Sequence, residues 1–160
     1  MERGGLSVTA PYGVGLGQQY PFKGDNPGAG VLFTRTFDGN FARRILSLVF
    51  TVTAANAGSS RFVAVEYRGK DTLPFAGGFP AGLLAINTAN RYWGSVLRGV
   101  SDFNTGTDVG FPLDNVFLYP GDQLVINITT LDVGDAITNI RGVEERFAYD
   151  PRRLPEALPE

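Results

Sequence analysis

The sequence predicts an all-β protein: an antiparallel two-sheet sandwich, jelly-roll-like, with an extended N-terminal arm and a C-terminal tail. Three observations carry this. Apolar and polar residues alternate with a period of two in several short runs, clusters of Gly, Pro, Asn, Asp and Ser separate those runs, and helical periodicity is nearly absent. At 160 residues the chain has the length of one domain that buries most of its apolar surface without disulfides or metals.

Residues 1–30 are rich in Gly and Pro and show neither a helical nor a strand period, so they read as an arm that forms no core by itself. Tyr12, Tyr20 and Phe22 are spaced along it. Aromatic rings give large contact area at low side-chain entropy cost, so these three are the expected anchors of the arm on a neighbouring molecule. The body, residues 31–147, begins with a short strand at 31–37. Residues 42–53 form the clearest strand, with Leu46, Leu48, Phe50 and Val52 on one face and Ser47, Thr51 and Thr53 on the other. A turn by composition at 54–60 leads into 61–68, where Val63, Val65 and Tyr67 share a face, and the two strands are expected to pair as a hairpin. Residues 69–89 read as a long connection with a short apolar strand at 83–86, and 90–100, 116–119, 122–130 and 136–147 supply the remaining strands. Leu46, Leu48, Phe50, Val63, Val65, Leu124, Ile126 and Ile128 are the expected core. The tail, residues 148–160, holds three prolines that bar a long helix, and Tyr149, Leu154 and Leu158 are its candidate contacts.

Two Gly-Asp pairs bracket the strand at 122–130 and raise the question of an acidic site. Turn chemistry accounts for both. Tyr119-Pro120-Gly121-Asp122 fits a type II turn, with Pro where φ is negative and Gly where φ is positive, while Leu131 to Asp135 closes the strand and starts the return. The aspartates are expected to cap backbone amides at these turns.

Composition removes whole classes of chemistry. Cys and His are both absent, which excludes disulfide frameworks, thiolate nucleophiles, imidazole bases and nearly every transition-metal site. The net charge of −2 lacks the basic excess of a nucleic-acid binder. Residues 1–80 carry eight Lys/Arg and five Asp/Glu, residues 81–160 six and eleven, so the halves differ in sign at +3 and −5. That asymmetry suits ordered meeting of copies as well as chance scatter. No apolar run reaches the ~20 residues of a membrane span, and the opening MERGGLSVTAPYG lacks a signal-peptide core, so no membrane partner and synthesis in a cytoplasm are expected.

The remaining candidate sites each meet an objection. Asp102 to Asp108 places oxygen ligands at alternate positions, as a calcium loop does, but Leu113 stands where an EF-hand needs its bidentate Glu. Glu144 and Glu145 are neighbours on a strand and point to opposite faces, so they cannot flank one glycosidic bond; a separated pair such as Glu66 with Asp135 is the other carboxylate combination. Of Tyr92 and Trp93, one faces the core and one the outside, and a buried Trp93 is favoured over a sugar-stacking one. Gly13-Val14-Gly15-Leu16-Gly17 lacks the helix and the Lys-Ser/Thr of a phosphate loop. No catalytic residue, cofactor or metal is expected.

The stretches ARRILSLVFTVTAANAGSSRFVAVEY and VFLYPGDQLVINITTLDVGDAITNIRGVEERF, residues 42–68 and 116–147, resemble small β-sandwich virion proteins encoded among the structural genes of tailed bacteriophages. The likeness covers a little over a third of the chain. It implies a non-enzymatic capsid decoration or minor head protein, located in the virion, partnered by a capsid or other virion protein and by its own copies in a trimer or cluster. A jelly-roll major capsid protein and a carbohydrate- or receptor-binding sandwich module are the alternatives.

Overall fold

In the computed structural model the described residues are 17–55, 62–78, 88–97 and 107–148. They form nine strands: β1 (Gln18–Lys23), β2 (Phe33–Thr36), β3 (Phe41–Thr53), β4 (Val63–Arg68), β5 (Pro74–Gly78), β6 (Ala89–Ser95), β7 (Asp108–Pro112), β8 (Gln123–Ile128) and β9 (Ala136–Ala148). Two sheets face each other, one in the order β1-β9-β3-β6-β7 and the other in the order β2-β8-β4-β5. All pairings are antiparallel except β6 with β7.

The pairing is nested. β4 pairs with β5, β3 with β6, β2 with β8 and β1 with β9, and this long ribbon is rolled so that β9 also meets β3 and β8 also meets β4. That is the strand order of a jelly roll, with β7 added beside β6.

Alternation explains the core. Leu48, Phe50 and Val52 of β3, Val63, Val65 and Tyr67 of β4, and Leu124, Ile126 and Ile128 of β8 fill the space between the sheets with Phe33, Ile45, Tyr92, Phe111, Ile137 and Ile140. Phe50 lies between Tyr92, stacked at 5.2 Å, and Phe111, edge-on at 6.2 Å. Leu46 departs from expectation and is only half buried. A register shift between Ile45 and Ser47 inserts one extra residue there, so Ile45 and Leu48 both point inward and Leu46 is turned away. A second shift lies opposite Val49 and Thr51, where Asn139 has φ +54° and allows Ile137 and Ile140 both to reach the core.

Three further expectations are corrected. β3 and β4 do not form a hairpin: they belong to opposite sheets, because each pairs elsewhere, β3 with β9 and β6 and β4 along its whole length with β8. Segment 116–119 contributes a single bridge, Leu118 with Arg43. The arm is not free of strand structure, since β1 pairs over six residues with β9. Pro21 is tolerated because β1 is the edge of its sheet, and Gly142 leaves the room in which the Phe22 ring lies, an added Cβ there falling 2.5 Å from it. The expected strand at 83–86 and most of the turn at 54–60 lie outside the described residues.

The turn at 119–122 has the expected form. Gly121 has φ +99°, the Asp122 amide donates to the Tyr119 carbonyl at 3.0 Å, and the Asp122 carboxylate accepts from the Tyr119 amide at 2.8 Å. Asp135, fully buried, accepts from the Ala55 amide at 3.0 Å and the Asp132 amide at 2.8 Å. Both aspartates therefore terminate strands.

Candidate functional site

At one end of the sandwich the inward positions change from apolar to charged. Arg35 follows Phe33 on the inner face of β2, Arg43 precedes Ile45 on that of β3, and Glu144 and Arg146 continue the inner face of β9. Glu144 is wholly buried, with Arg146 at 2.5 Å, Arg35 at 3.1 Å and Arg43 at 3.6 Å. One carboxylate thus joins three guanidiniums and ties the two sheets together.

Aromatic rings alternate with these guanidiniums. Arg35 lies against Phe22 and Phe37, at 4.5 and 5.2 Å from the ring centres, Arg43 against Phe37 and Phe41, at 5.4 and 5.8 Å, and Arg146 against Tyr20 and Phe41, at 4.5 and 5.9 Å. The order Phe22, Arg35, Phe37, Arg43, Phe41, Arg146, Tyr20 is continuous. Cation–π contact over weakly hydrated guanidiniums lowers the cost of gathering like charges. Burial depresses the Arg43 pKa, and the neighbouring Arg146 and Arg35 push the same way against the opposing pull of Glu144.

The expected anchors divide. Tyr20 is half exposed, its hydroxyl donating to Gln18 Oε1 at 2.6 Å and its ring beside Arg146. Phe22 packs against the main core instead of standing free, because the antiparallel register with β9 points it inward over Gly142. Tyr12, Tyr149, Leu154 and Leu158 lie outside the described residues, as does most of the loop at 102–108. Asp108 stands on β7 with its carboxylate 3.6 Å from Arg91. Among the described residues no three acidic side chains gather as a metal site would require.

Glu145 points to the opposite face from Glu144, as strand alternation dictates, and pairs with Arg44. Glu66 pairs with Arg68, remote in role from Asp135 at its turn. Tyr92 is the buried member of its pair and Trp93 is 40 % exposed beside Arg91, the reverse of the favoured assignment. The reason is the fit inside: Tyr92 stacks on Phe50, and Gly94, the next inward position, is pressed against Phe111 with no space for a large side chain.

The arginine–aromatic cluster escaped sequence reasoning because its members are scattered from position 20 to position 146. A signal was present nonetheless. Arg35 and Arg43 each stand two residues from a core residue on a strand, so alternation puts them inside, where a charge needs a partner.

Comparison with known proteins yields no match: no family model, no curated protein and no solved structure is similar to this chain. The class that fold and site define is a jelly-roll β-sandwich with an ionic, aromatic-lined end.

Proposed function

We propose that the chain is a non-enzymatic structural protein of a virion, a capsid decoration or minor head protein that binds the shell and its own copies. The observation that carries this reading is where the two terminal segments start. Gln18 is opposite Arg146 and Phe41 opposite Ala148, so the two ends of the described residues lie together at the end of the sandwich that holds the arginine cluster. Tyr12, which precedes the first of these ends in the sequence, and Tyr149, Leu154 and Leu158, which follow the second, are the contacts this reading assigns to one partner surface. Edge strands on both sheets also favour close neighbours, and a trimer or cluster around a local symmetry axis is the expected arrangement.

The test is to strip the protein from the particles with which it sediments and add back the full chain or chains lacking 1–16 or 149–160. Occupancy after sedimentation falls for either truncation if the segments attach it; equal occupancy for all three refutes that role. The jelly roll is shared by viral coat and lectin domains, and the exposed Trp93 favours a second reading as a carbohydrate-binding module. A glycan array separates the two, since binding that Trp93→Ala abolishes belongs to the second.

A further inference from the structure

The arginine cluster is electrostatically incomplete. Three guanidiniums surround one carboxylate, leaving an excess of two positive charges, and among the described residues the only other acid paired with them is Asp38, whose side chain is 97 % exposed and 3.9 Å from Arg43. An acid so exposed is screened by water and neutralises little of a buried charge. The Arg43 side chain is 6 % exposed. Its Nη1 donates to the Asp38 carbonyl at 2.8 Å, but its Nε, 3.6 Å from Glu144 Oε1, has no hydrogen-bond acceptor among the described residues, while Arg35 Nη1 and Glu144 Oε2 face each other at 3.1 Å as an ion pair outside hydrogen-bond geometry. Buried N–H groups of charged side chains are costly to leave unmatched.

The cluster is also reachable. Arg35 and Arg146 keep 25 % and 28 % of their side-chain surface, and Tyr20 and Phe41 are exposed at its rim. Rings lie against each guanidinium, and Arg146 turns its Nε/Nη2 edge and Arg35 its Nη1/Nη2 edge to Glu144, which leaves each of these two a second edge, at Arg146 Nη1 and at Arg35 Nε, for an outside acceptor. That edge is planar and forked, and it matches the two oxygens of a carboxylate.

We propose that this end of the sandwich is a carboxylate-binding site, which takes an acidic side chain of a protein partner between Arg35, Arg43 and Arg146, with Tyr20 and Phe41 flanking the entering chain. Glu144 is the internal half of the arrangement and the partner's acid the external half. The proposal rests on the reading that the protein docks on another protein, and it specifies the chemistry of one contact in that docking.

The probe is a hexaglutamate peptide added to the isolated full-length protein, followed by calorimetric titration and thermal shift, with sodium chloride and inorganic phosphate at equal ionic strength as the other arms. Saturable binding by the peptide is expected, weakening at least 10-fold in Arg146→Gln. Arg146→Lys keeps the charge but loses the fork, and is expected to weaken binding as well. Arg44→Gln, on the opposite face of the sheet, retains it. Circular dichroism and the urea midpoint of each variant establish that it is folded, and Arg35→Gln replaces Arg146→Gln should the latter not be. Absence of saturable peptide binding overturns the proposal, as does equal binding by Arg146→Gln or saturation by phosphate at lower concentration than by peptide. Since no particle enters this experiment, its failure leaves the occupancy test of the proposed function standing, and the converse also holds.

Discussion

Replacing Glu144 by Gln removes one negative charge at nearly constant volume and leaves three arginines facing each other. The size of the effect follows from exposure. Two unit charges ~4 Å apart interact by about 4 kcal/mol at an effective dielectric constant of ~20, but Arg35 and Arg146 are 25 % and 28 % exposed and recover part of that from water. Arg43, at 6 % exposure, recovers little and stays buried without its acid. Removing one member of a buried ion pair costs about 3–5 kcal/mol, and the single well-buried arginine places Glu144→Gln in that range. For a urea slope of about 2 kcal/mol per molar, the unfolding midpoint falls by about 2 M. Circular dichroism measures it, with Asp38→Asn as a control that leaves the midpoint unchanged because Asp38 is almost wholly exposed. A drop below about 0.5 M would refute the reasoning, since it would assign the cluster the worth of a surface pair.

Leu48→Ala and Ile126→Ala, both at fully buried positions, are each expected to lose about 2–5 kcal/mol by the same denaturation assay. Tyr67→Phe is expected to hold or raise stability by up to ~1 kcal/mol, because the hydroxyl it removes is buried with no hydrogen-bond partner among the described residues. Burial raises the phenol pKa of Tyr67, aided by Asp114, and that of Tyr92. The folded state therefore keeps these protons after the unfolded chain has released them, so stability is intact below about pH 10 and is lost as pH rises above it; the loss in a midpoint-versus-pH series is expected to be shallower in Tyr67→Phe. Deleting 1–28 removes β1 and the Phe22 packing and is expected to lower the melting temperature, whereas deleting 1–16 leaves it unchanged. Equal melting temperatures for the two deletions would show that β1 adds nothing to the sandwich.

Sheet class was legible because exposed and buried faces alternate, and the type II turn at 119–122 was legible because Pro and Gly each have one conformational preference that matters there. The inward set of β3 was legible only up to its bulge: nothing in Ile45-Leu46-Ser47 marks which residue is extra, since both Ile45 and Leu46 are apolar. β5 and β7 were hidden by Gly and Pro. Gly77 and Gly78 are there because neighbouring chain or rings press close, a tertiary cause that local composition does not display. The mistaken hairpin has the same origin. Local sequence suggests a turn after β3, but which sheet the chain enters next depends on partners, above all β9, that lie far along the chain. The candidate site was the least legible part, since it exists only when β1, β2, β3 and β9 converge.

The nested pairing has a consequence for how the chain acquires its shape. β4 and β5 close a loop of 13 residues between Val65 and Gly78, whereas the β1–β9 pairing spans 128 residues between Gln18 and Arg146. Closing the longer loop directly from an open chain costs about 2 kcal/mol more in entropy. Closing it after the inner pairs have formed avoids most of that, because each pair shortens the gap for the next. Assembly is therefore expected to run from the β4–β5 hairpin outward, with β1 seated last and slowly, as non-local strand pairing requires. During synthesis β1 must wait beside the ribosome until β9 has emerged, and in that interval the β9 of another copy is an equivalent partner for it.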